Sequence, residues 1–374
     1  MAKSAYIHIP FCAHKCDFCD FAAFAGLDDL QDEYANVLVK EIEHRLSAEP
    51  NDEKLSTIFF GGGTPGYVPA IHLAQAIECL KQLCGIEDNP EITIETTPAT
   101  ISEDKVEAWL KAGINRISIG IESLHENELQ AMGRGVQSRE TAMLSVLNAR
   151  KFGFENVAVD LMYGLPKQTL ESFESTLNDL LSLGADHLSS YGLTIAQNSP
   201  LLTHYPLNSD EYPSEEVFVQ MYESLVRIAE SFGLSQYEIS NFAKPGFESR
   251  HNKIYWKNEE YLAFGVSAHR YYRGKRSSNF RALKRYMREY QNNETEELIN
   301  QENRIKEAIF LGLRLTAGLN LQEFEAEYFY DLSNIKGREI SKLEELGLLK
   351  VSNGCMSLTQ KGILISNTVL AELI

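Results

Sequence analysis

Several features that define common protein classes are missing from this sequence. No stretch approaches the roughly 20 consecutive apolar residues that a membrane-spanning helix requires. Residues 1–9 run directly into a strand-like pattern and leave no room for a signal peptide. Cysteine is scarce, with six residues in a chain of 374, which excludes a secreted scaffold held together by disulfide bonds. We therefore expect a cytoplasmic protein without an integral membrane segment.

Positive charge is also in short supply, because 35 basic residues face 53 acidic ones and give a formal net charge of −18. Such a chain repels the phosphates of nucleic acids unless it carries a local basic patch. One basic cluster does exist, between Arg270 and Arg288. It is either a solvated helix face or a binding site for the carboxylates of an anionic substrate. We expect no nucleic-acid partner.

Short β-branched runs, each followed by an amphipathic segment, dominate the first half of the chain. The predicted strands are 5–9, 57–60, 91–96, 116–121, 157–162 and 187–193. The helical patterns between them include 32–46, 71–83, 102–112 and 170–183. Six β-then-α units predict an α/β fold, a partial (β/α)6 barrel of the TIM type with parallel strands buried on both faces.

The pattern changes after the barrel. We predict a core barrel over residues 1–235, a connecting region over 236–300 and a small C-terminal domain over 301–374. Helices followed by short strands near 348–351 and 355–358 are typical of a winged-helix-like domain. Such domains often bind DNA, but the predicted helix 335–346 balances its basic residues with three glutamates, which favours a structural or lid role.

The strongest chemical signal is a group of three cysteines, Cys12, Cys16 and Cys19, directly after the first predicted strand. Thiolates are soft ligands that suit iron–sulfur clusters or zinc. Three cysteines can bind three irons of a [4Fe-4S] cluster and leave the fourth open, whereas a structural zinc ion takes four protein ligands. His8 or His14 could supply a fourth ligand, so a non-enzymatic zinc-binding scaffold stays an alternative. The spacing favours the cluster.

Cys-x3-Cys-x2-Cys after a β-strand is the signature of the radical S-adenosylmethionine (SAM) superfamily. The segment from Tyr6 to Cys12 resembles its oxygen-independent coproporphyrinogen III oxidase-like group, and the resemblance covers nearly the whole chain. It implies that the open iron binds the amino and carboxylate groups of SAM. It also implies an electron donor such as flavodoxin or ferredoxin, whose electron lets SAM be cleaved to methionine and a 5′-deoxyadenosyl radical.

The resemblance assigns further residues to SAM. A run of three glycines ends the second predicted strand, where the missing Cβ atoms let a ligand approach the backbone; a tight turn is the structural alternative. A carboxylate in an apolar strand needs a partner because burying an unpaired charge is costly, and a salt bridge inside the barrel would also provide one. The implied SAM contacts are Tyr6, Phe18, Gly62, Gly63, Thr64, Glu95, Glu122, Arg134 and Asp160.

Two of these family positions depart from the usual pattern. Most relatives have glutamine where this chain has Glu122, and only glutamine can also donate a hydrogen bond to a ribose hydroxyl. Ala196 stands where relatives usually have glutamate.

Two motifs resemble a branch of heme chaperones within this group. Phe21 stands where the oxidase branch has another cysteine, and the segment from His251 to Trp256 matches the chaperone pattern. An imidazole can ligate heme iron and aromatic rings pack on porphyrin, so His251 is a candidate heme residue; a packed aromatic cluster is the alternative. Further candidate ligands are His8, His14 and His269, although the loop that ends at His269 looks more like a SAM neighbour.

The resemblance therefore implies a chaperone that binds heme and transfers it to an acceptor protein, with a SAM-coordinated [4Fe-4S] cluster. Such a protein is expected to be able to cleave SAM, but it lacks the extra cysteine of the oxidase branch. The alternatives are an oxygen-independent coproporphyrinogen III oxidase, a radical SAM heme-modifying methyltransferase and the zinc-binding scaffold.

Overall fold

The computed structural model describes residues 1–135, 137–197 and 199–374. Its first 264 residues contain the strands β1 (Ser4–Ile9), β2 (Phe11–Cys12), β3 (Phe24–Ala25), β4 (Leu55–Gly62), β5 (Ile86–Thr96), β6 (Arg116–Glu122), β7 (Asn156–Tyr163), β8 (His187–Gly192), β9 (Ser235–Gln236), β10 (Asn241–Ala243) and β11 (Leu262–Phe264). The helices of this part are α1 (Gln31–Ala48), α2 (Ala70–Leu83), α3 (Glu103–Lys111), α4 (Glu126–Ala131), α5 (Arg139–Lys151), α6 (Leu170–Ser182), α7 (Leu201–His204), α8 (Glu215–Ser231) and α9 (Arg250–Trp256).

The described residues form one nine-stranded sheet in the order β11-β1-β4-β5-β6-β7-β8-β10-β9. The pairs from β11 to β8 are parallel, and β10 and β9 add antiparallel strands at the other edge. Helices connect the parallel strands, as crossover connections require. The predicted α/β barrel of six parallel strands is confirmed.

Strand β6 shows why this sequence makes a barrel with two different faces. Its isoleucines at 117, 119 and 121 are fully buried in the hydrophobic core. The alternate residues Arg116, Ser118 and Glu122 point to the other face, because successive side chains on a strand point to opposite sides. That face is the barrel interior, where the Ser118 hydroxyl donates to the Asp160 carboxylate of the neighbouring strand. The sheet is therefore apolar toward the helices and polar inside.

Strands β4 and β5 extend furthest beyond their predicted ends. Strand β4 continues to Gly62, since His8 and Ile9 of β1 still pair with its glycines. Strand β5 begins at Ile86, which pairs with Leu55 before a register shift. The glycine-rich end of β4 is thus part of the sheet, and it lies at the carboxyl edge where ligands of such barrels bind.

The region predicted to connect the two domains contributes to the main sheet. Strand β10 pairs with β8, and β11 pairs with β1 at the opposite edge. Helix α9, which lies between them in the chain, packs against β4. Residues 241–264 therefore complete the barrel, whereas the sequence pattern indicated a connection.

The rest of the chain adds two smaller sheets. Strands β12 (His269–Tyr272), β13 (Lys275–Ser278) and β14 (Thr295–Leu298) form one, with helix α10 (Leu283–Glu289) between β13 and β14. The C-terminal part contains α11 (Gln301–Gly312), β15 (Leu319–Asn320), α12 (Leu321–Tyr328), α13 (Leu332–Ile335), α14 (Gly337–Glu345), β16 (Leu349–Ser352), β17 (Cys355–Leu358), α15 (Gln360–Leu364) and α16 (Ser366–Leu373). The antiparallel strands β16 and β17 follow helices α12 to α14, as in a winged helix. Within the described part of the chain, no helix combines the length and apolar character needed to cross a bilayer.

A buried carboxylate joins helix α1 to the segment after β11. Glu41 is fully buried and accepts hydrogen bonds from the Arg45 guanidinium at 2.7 Å and the Asn279 amide at 2.7 Å. Its other oxygen accepts from the Tyr286 hydroxyl at 2.6 Å and the Gly265 N–H at 2.8 Å. The Glu41 side chain thus joins helix α1 to the loop at Gly265, to Asn279 and to helix α10 at Tyr286.

We expect the substitution Glu41→Ala to lower the free energy of unfolding by about 3–5 kcal/mol, because it leaves the buried Arg45 guanidinium without its counter-ion. Chemical denaturation followed by circular dichroism measures the change. Glu43→Ala on the exposed side of the same helix is the control and should leave the unfolding midpoint nearly unchanged. Equal effects of the two substitutions would contradict a central role for Glu41.

Candidate functional site

The three predicted cluster cysteines lie on one loop at the carboxyl edge of the barrel. Strands β2 and β3 pair in parallel and close this loop at its base. The backbone N–H of Asp17 donates to the carbonyl of Met132, which fastens the loop to the segment after α4. Cys12 is buried, whereas Cys16 and Cys19 are half-buried, and all three are free thiols.

The loop has the donor set of an iron–sulfur cluster. Burial raises the pKa of the Cys16 thiol to about 11 and also raises the pKa values of Cys12 and Cys19. Metal binding to such thiols must release protons, and the positive iron ions favour that release. The Thr64 hydroxyl donates to Cys12 Sγ at 3.4 Å, and hydrogen bonds of this kind tune cluster sulfurs. The donor type and number, three thiols on one loop, match a cluster with one open iron. Within the described residues, no group of three His, Cys, Asp or Glu side chains is arranged to hold a metal ion in this structure.

The glycine-rich segment at the end of β4 packs directly against β1 and the residues that lead from β1 into the cysteine loop. A Cβ atom on Gly62 would lie 2.4 Å from the His8 ring, and one on Gly63 would lie 2.8 Å from the Pro10 backbone. Gly62 also has φ +113°, which side-chain-bearing residues rarely adopt. Backbone hydrogen bonds from Gly63 to Ile9 and from Thr64 to Phe11 then join the two segments. Close packing thus explains these glycines in addition to any ligand contact.

Glu95 lies beside the glycine segment, as the SAM assignment requires. Its Oε2 accepts the Gly62 N–H at 3.1 Å, and a Cβ on Gly61 would lie 3.0 Å from both Glu95 and the Tyr6 ring. Burial, together with repulsion from Asp160, raises the pKa of Glu95 to about 8. The carboxyl group is therefore largely protonated at neutral pH until a cation comes close.

Glu122, Arg134 and Asp160 form the other half of the site. The Arg134 guanidinium pairs with Glu122 at 2.5 Å and donates to the Gly120 carbonyl at 2.6 Å. Burial raises the pKa values of Glu122 and Asp160, which Arg134 lowers only in part. Glu122 has a φ of 65° at a register shift between β6 and β7. Glu122 therefore forms an ion pair with Arg134, whereas a glutamine at this position would offer Arg134 only a neutral acceptor.

Phe18 lies at the edge of this group. Its ring packs on a small apolar cluster that includes Met132, Met162 and Leu165. The structure therefore brings together all the residues assigned to SAM and the cysteine loop at one edge of the sheet.

Arg116 is an interior residue that the sequence interpretation missed. It is 2% exposed, its Nε has no hydrogen-bond partner, and no carboxylate of the described residues lies within ion-pair distance. Its positive charge lowers the pKa values of Glu95 and Asp160 and so offsets their burial. The sequence signal for Arg116 was its place in β6, where it stands at one of the polar positions that alternate with buried isoleucines.

The candidate heme residue His251 lies inside the barrel. It is 1% exposed, and its ring stacks on Phe59 with centroids 5.1 Å apart. Nδ1 hydrogen-bonds with Thr57 and Nε2 with Tyr255, both at 2.8 Å. Burial lowers its pKa to about 3. Neither ring nitrogen is free to ligate iron in this arrangement, so the structure supports the packed aromatic cluster.

His8 has a similar environment. It is 5% exposed, and its ring nitrogens hydrogen-bond with the Tyr6 hydroxyl and the Ala22 carbonyl, both at 3.0 Å. It therefore braces the cysteine loop from below and is not free to serve as a fourth metal ligand. His14 and His269, in contrast, are exposed.

We expect Glu95→Gln to stabilise the protein increasingly as the pH rises. The folded-state pKa of about 8 lies above the usual 4.5, so below pH 4.5 the carboxyl is protonated in both states. Stability is then lost between pH 4.5 and 8, because only the unfolded state ionises freely. Melting temperatures of the SAM-free protein at several pH values measure this. The exposed Glu107→Gln is the control, and a difference independent of pH would contradict the prediction.

The family models and relatives agree with this geometry. The model described as the radical SAM superfamily matches residues 6–180, and the one described as the HemN C-terminal domain matches residues 299–365. In solved structures, the chain resembles coproporphyrinogen III oxidase (HemN) from Escherichia coli, with a TM-score of 0.86 over 99% of this chain and 89% of that one. The sequence identity to HemN is 23%, so this likeness shows the fold alone.

Curated relatives match over nearly the full length. Heme chaperone HemW of Bacillus subtilis is 37% identical, and the alignment covers 98% of this chain and 98% of the relative. Heme chaperone HemW of Lactococcus lactis is 33% identical over 98% of this chain and 96% of its own. HemW of Escherichia coli is 33% identical over 71% of this chain and 69% of its own. This chain therefore belongs to the HemW family of the radical SAM superfamily.

Proposed function

We propose that this protein is a heme chaperone that binds heme and transfers it to an acceptor protein. The observation that carries the proposal is the cysteine loop, where three cysteines are followed by Phe21 in place of the further cysteine of the oxidase branch. The Phe21 side chain is 66% exposed. The full-length relatives named heme chaperones support the same function.

In this proposal Cys12, Cys16 and Cys19 hold a [4Fe-4S] cluster, and SAM occupies the open iron. When bound, the cluster supplies the electron that cleaves SAM. The protein contributes a cradle of buried carboxyl groups, Glu95 and Asp160 among them, whose ionisation Arg116 and Arg134 favour only in part. Such a cradle suits a ligand with an ammonium and a sulfonium cation, because a nearby cation favours the ionised carboxylate.

Two further parts of the proposal concern the surroundings of the protein. Reduction of the cluster needs an electron donor of the flavodoxin or ferredoxin kind. We place the protein in the cytoplasm, where thiols stay reduced and available for a cluster. The free state of all six cysteines is consistent with such a compartment.

We expect anaerobic reconstitution to load about four irons and four sulfides per chain. Cys16→Ala should lose most of this iron and the associated visible absorption, since it removes a thiol ligand. Cys355→Ala, which replaces a half-buried cysteine far along the chain, is the control and should retain both. Zinc in place of iron, without labile sulfide, would instead establish the scaffold alternative.

The reconstituted protein should bind heme and release it to an apo-hemoprotein, and it should not decarboxylate coproporphyrinogen III in the presence of SAM and a reductant. Absorption spectra measure heme uptake and transfer, and chromatography measures protoporphyrinogen. Turnover of coproporphyrinogen would identify an oxidase and overturn the proposal. A methylated or ring-opened heme product would indicate a heme-modifying enzyme.

A further inference from the structure

The structure separates the histidines of this chain by their freedom to bind iron. His8 and His251 are buried with both ring nitrogens hydrogen-bonded, and His187 is fully buried. The buried His72 lies 2.9 Å from Asp32. Exposed imidazoles are found at positions 14, 44, 204 and 269. A heme site at the surface of the barrel must therefore draw on a different histidine from the one in the family motif.

His269 is exposed and pairs with Ser278, three residues before Arg281, whose guanidinium donates to the carbonyl of Asp20 after the cluster cysteines. It begins β12, directly after the loop at the carboxyl end of β11. This loop is tightly held, since a Cβ on Gly265 would lie 2.5 Å from the His8 carbonyl. The Asn279 amide also donates to the Gly265 carbonyl at 2.7 Å. A rigid loop therefore presents the imidazole beside β1.

Phe21 provides an exposed aromatic ring on the same side. It follows Cys19 by two residues, and its carbonyl accepts hydrogen bonds from Lys15 Nζ at 3.3 Å and from the Ala23 N–H at 2.8 Å. A large aromatic ring that is 66% exposed is a natural contact for a flat apolar macrocycle. The hydrogen bonds fix the turn that carries it.

Arg281 lies between these two features. Its guanidinium donates to the carbonyl of Asp20, the residue before Phe21. The carbonyl of Phe280, the residue before Arg281, accepts the N–H of Ser267, two residues before His269. Residues 280–281 thus contact both the turn that carries Phe21 and the loop that leads to His269. The Arg281–Asp20 ion pair is exposed on both sides, so it is weak and open to another anion.

The structure also divides the basic segment found in the sequence. Arg270 pairs with Glu49, Arg276 with Glu307 and Lys275 with Glu296. Arg273 donates to the Pro50 carbonyl and makes no ion pair with a described residue. On α10, Lys284 is exposed and makes no ion pair with any described residue. Arg285 lies over the Phe280 ring, 3.9 Å from its centroid, and faces solvent. Arg285 and Arg288 both pair with Glu289, so among the described residues Lys284 is the basic residue of α10 that keeps an unpaired charge beside Arg281.

We propose that heme binds on the face formed by Phe21, His269, Arg281 and Lys284, which we call the heme face. His269 ligates the iron, the Phe21 ring packs on the macrocycle, and Arg281 and Lys284 pair with the two propionates. Imidazole ligation, aromatic packing and carboxylate pairing are the three interactions that heme offers a protein. This inference rests on the proposed heme binding and names its site.

The test is titration of the full-length reconstituted protein with heme, followed by its Soret absorption. His269→Ala should shift the Soret band and weaken binding by about tenfold or more, as expected for loss of a metal-site interaction. His44→Ala, at an exposed histidine of α1, is the matched control and should leave both unchanged. Thermal melting checks that each variant folds, which is expected because both imidazoles are exposed.

A second titration tests whether Lys284 pairs with a heme propionate. Lys284→Glu should weaken heme binding about threefold, in the range of exposed ion pairs, and should not change affinity for heme dimethyl ester, which lacks free carboxylates. Lys350→Glu, an exposed lysine of the C-terminal part, is the control. Equal weakening for heme and its ester would contradict propionate pairing.

The outcomes separate this inference from the proposed function. If the unmodified protein binds no heme, the chaperone proposal itself fails. If it binds heme and His269→Ala leaves the affinity and Soret band unchanged, only the heme face is overturned. A change with His14→Ala in place of His269→Ala would also overturn it and move the site onto the cysteine loop.

Discussion

The burial of several carboxyl groups inside one barrel is the constraint on which the rest of this structure depends. Glu95, Glu122 and Asp160 face the interior, where burial raises all three pKa values. Each is held by a specific donor: a backbone N–H, a guanidinium or a serine hydroxyl. These donors offset the cost of burial only in part, and a cation bound nearby would favour ionisation of the carboxyl groups. The apolar shell beneath the helices keeps the carboxyl groups in place and makes their ionisation costly.

The loops at the carboxyl edge are organised mainly by backbone contacts. The glycine segment packs on β1 so closely that Gly62 and Gly63 tolerate no side chain. Glu41 joins helix α1 to Gly265 and Tyr286, which holds the segment after β11 beside the same strand. The cysteine loop and the loop that ends at His269 are therefore supported by one set of contacts around β1.

Histidines of one chain differ in function because of their surroundings. His251 connects β4 and α9 through Thr57 and Tyr255, so the motif that carries it completes the open side of the barrel. Tyr255 belongs to the same packed group, whereas the Trp256 ring lies against the Arg314 guanidinium, 4.6 Å from the ring centroid. His269 begins β12 and belongs to no such motif, yet its side chain is exposed to solvent, as is that of His14 on the cysteine loop. A motif can thus indicate a family while its residues serve packing.

The sequence alone determined the parts of this protein that depend on local patterns. The spacing of Cys12, Cys16 and Cys19 predicted the cluster loop, and the succession of strands and helices predicted the barrel, because both follow from residues close together in the chain. The tertiary structure decided what depends on distant residues. Thr57 and His251 are 194 positions apart, and Arg281 meets Asp20 across 261. Burial of His251, the unpaired charge of Arg116 and the place of β10 and β11 in the sheet arise only when such distant segments pack, since burial and pairing are properties of the folded neighbourhood.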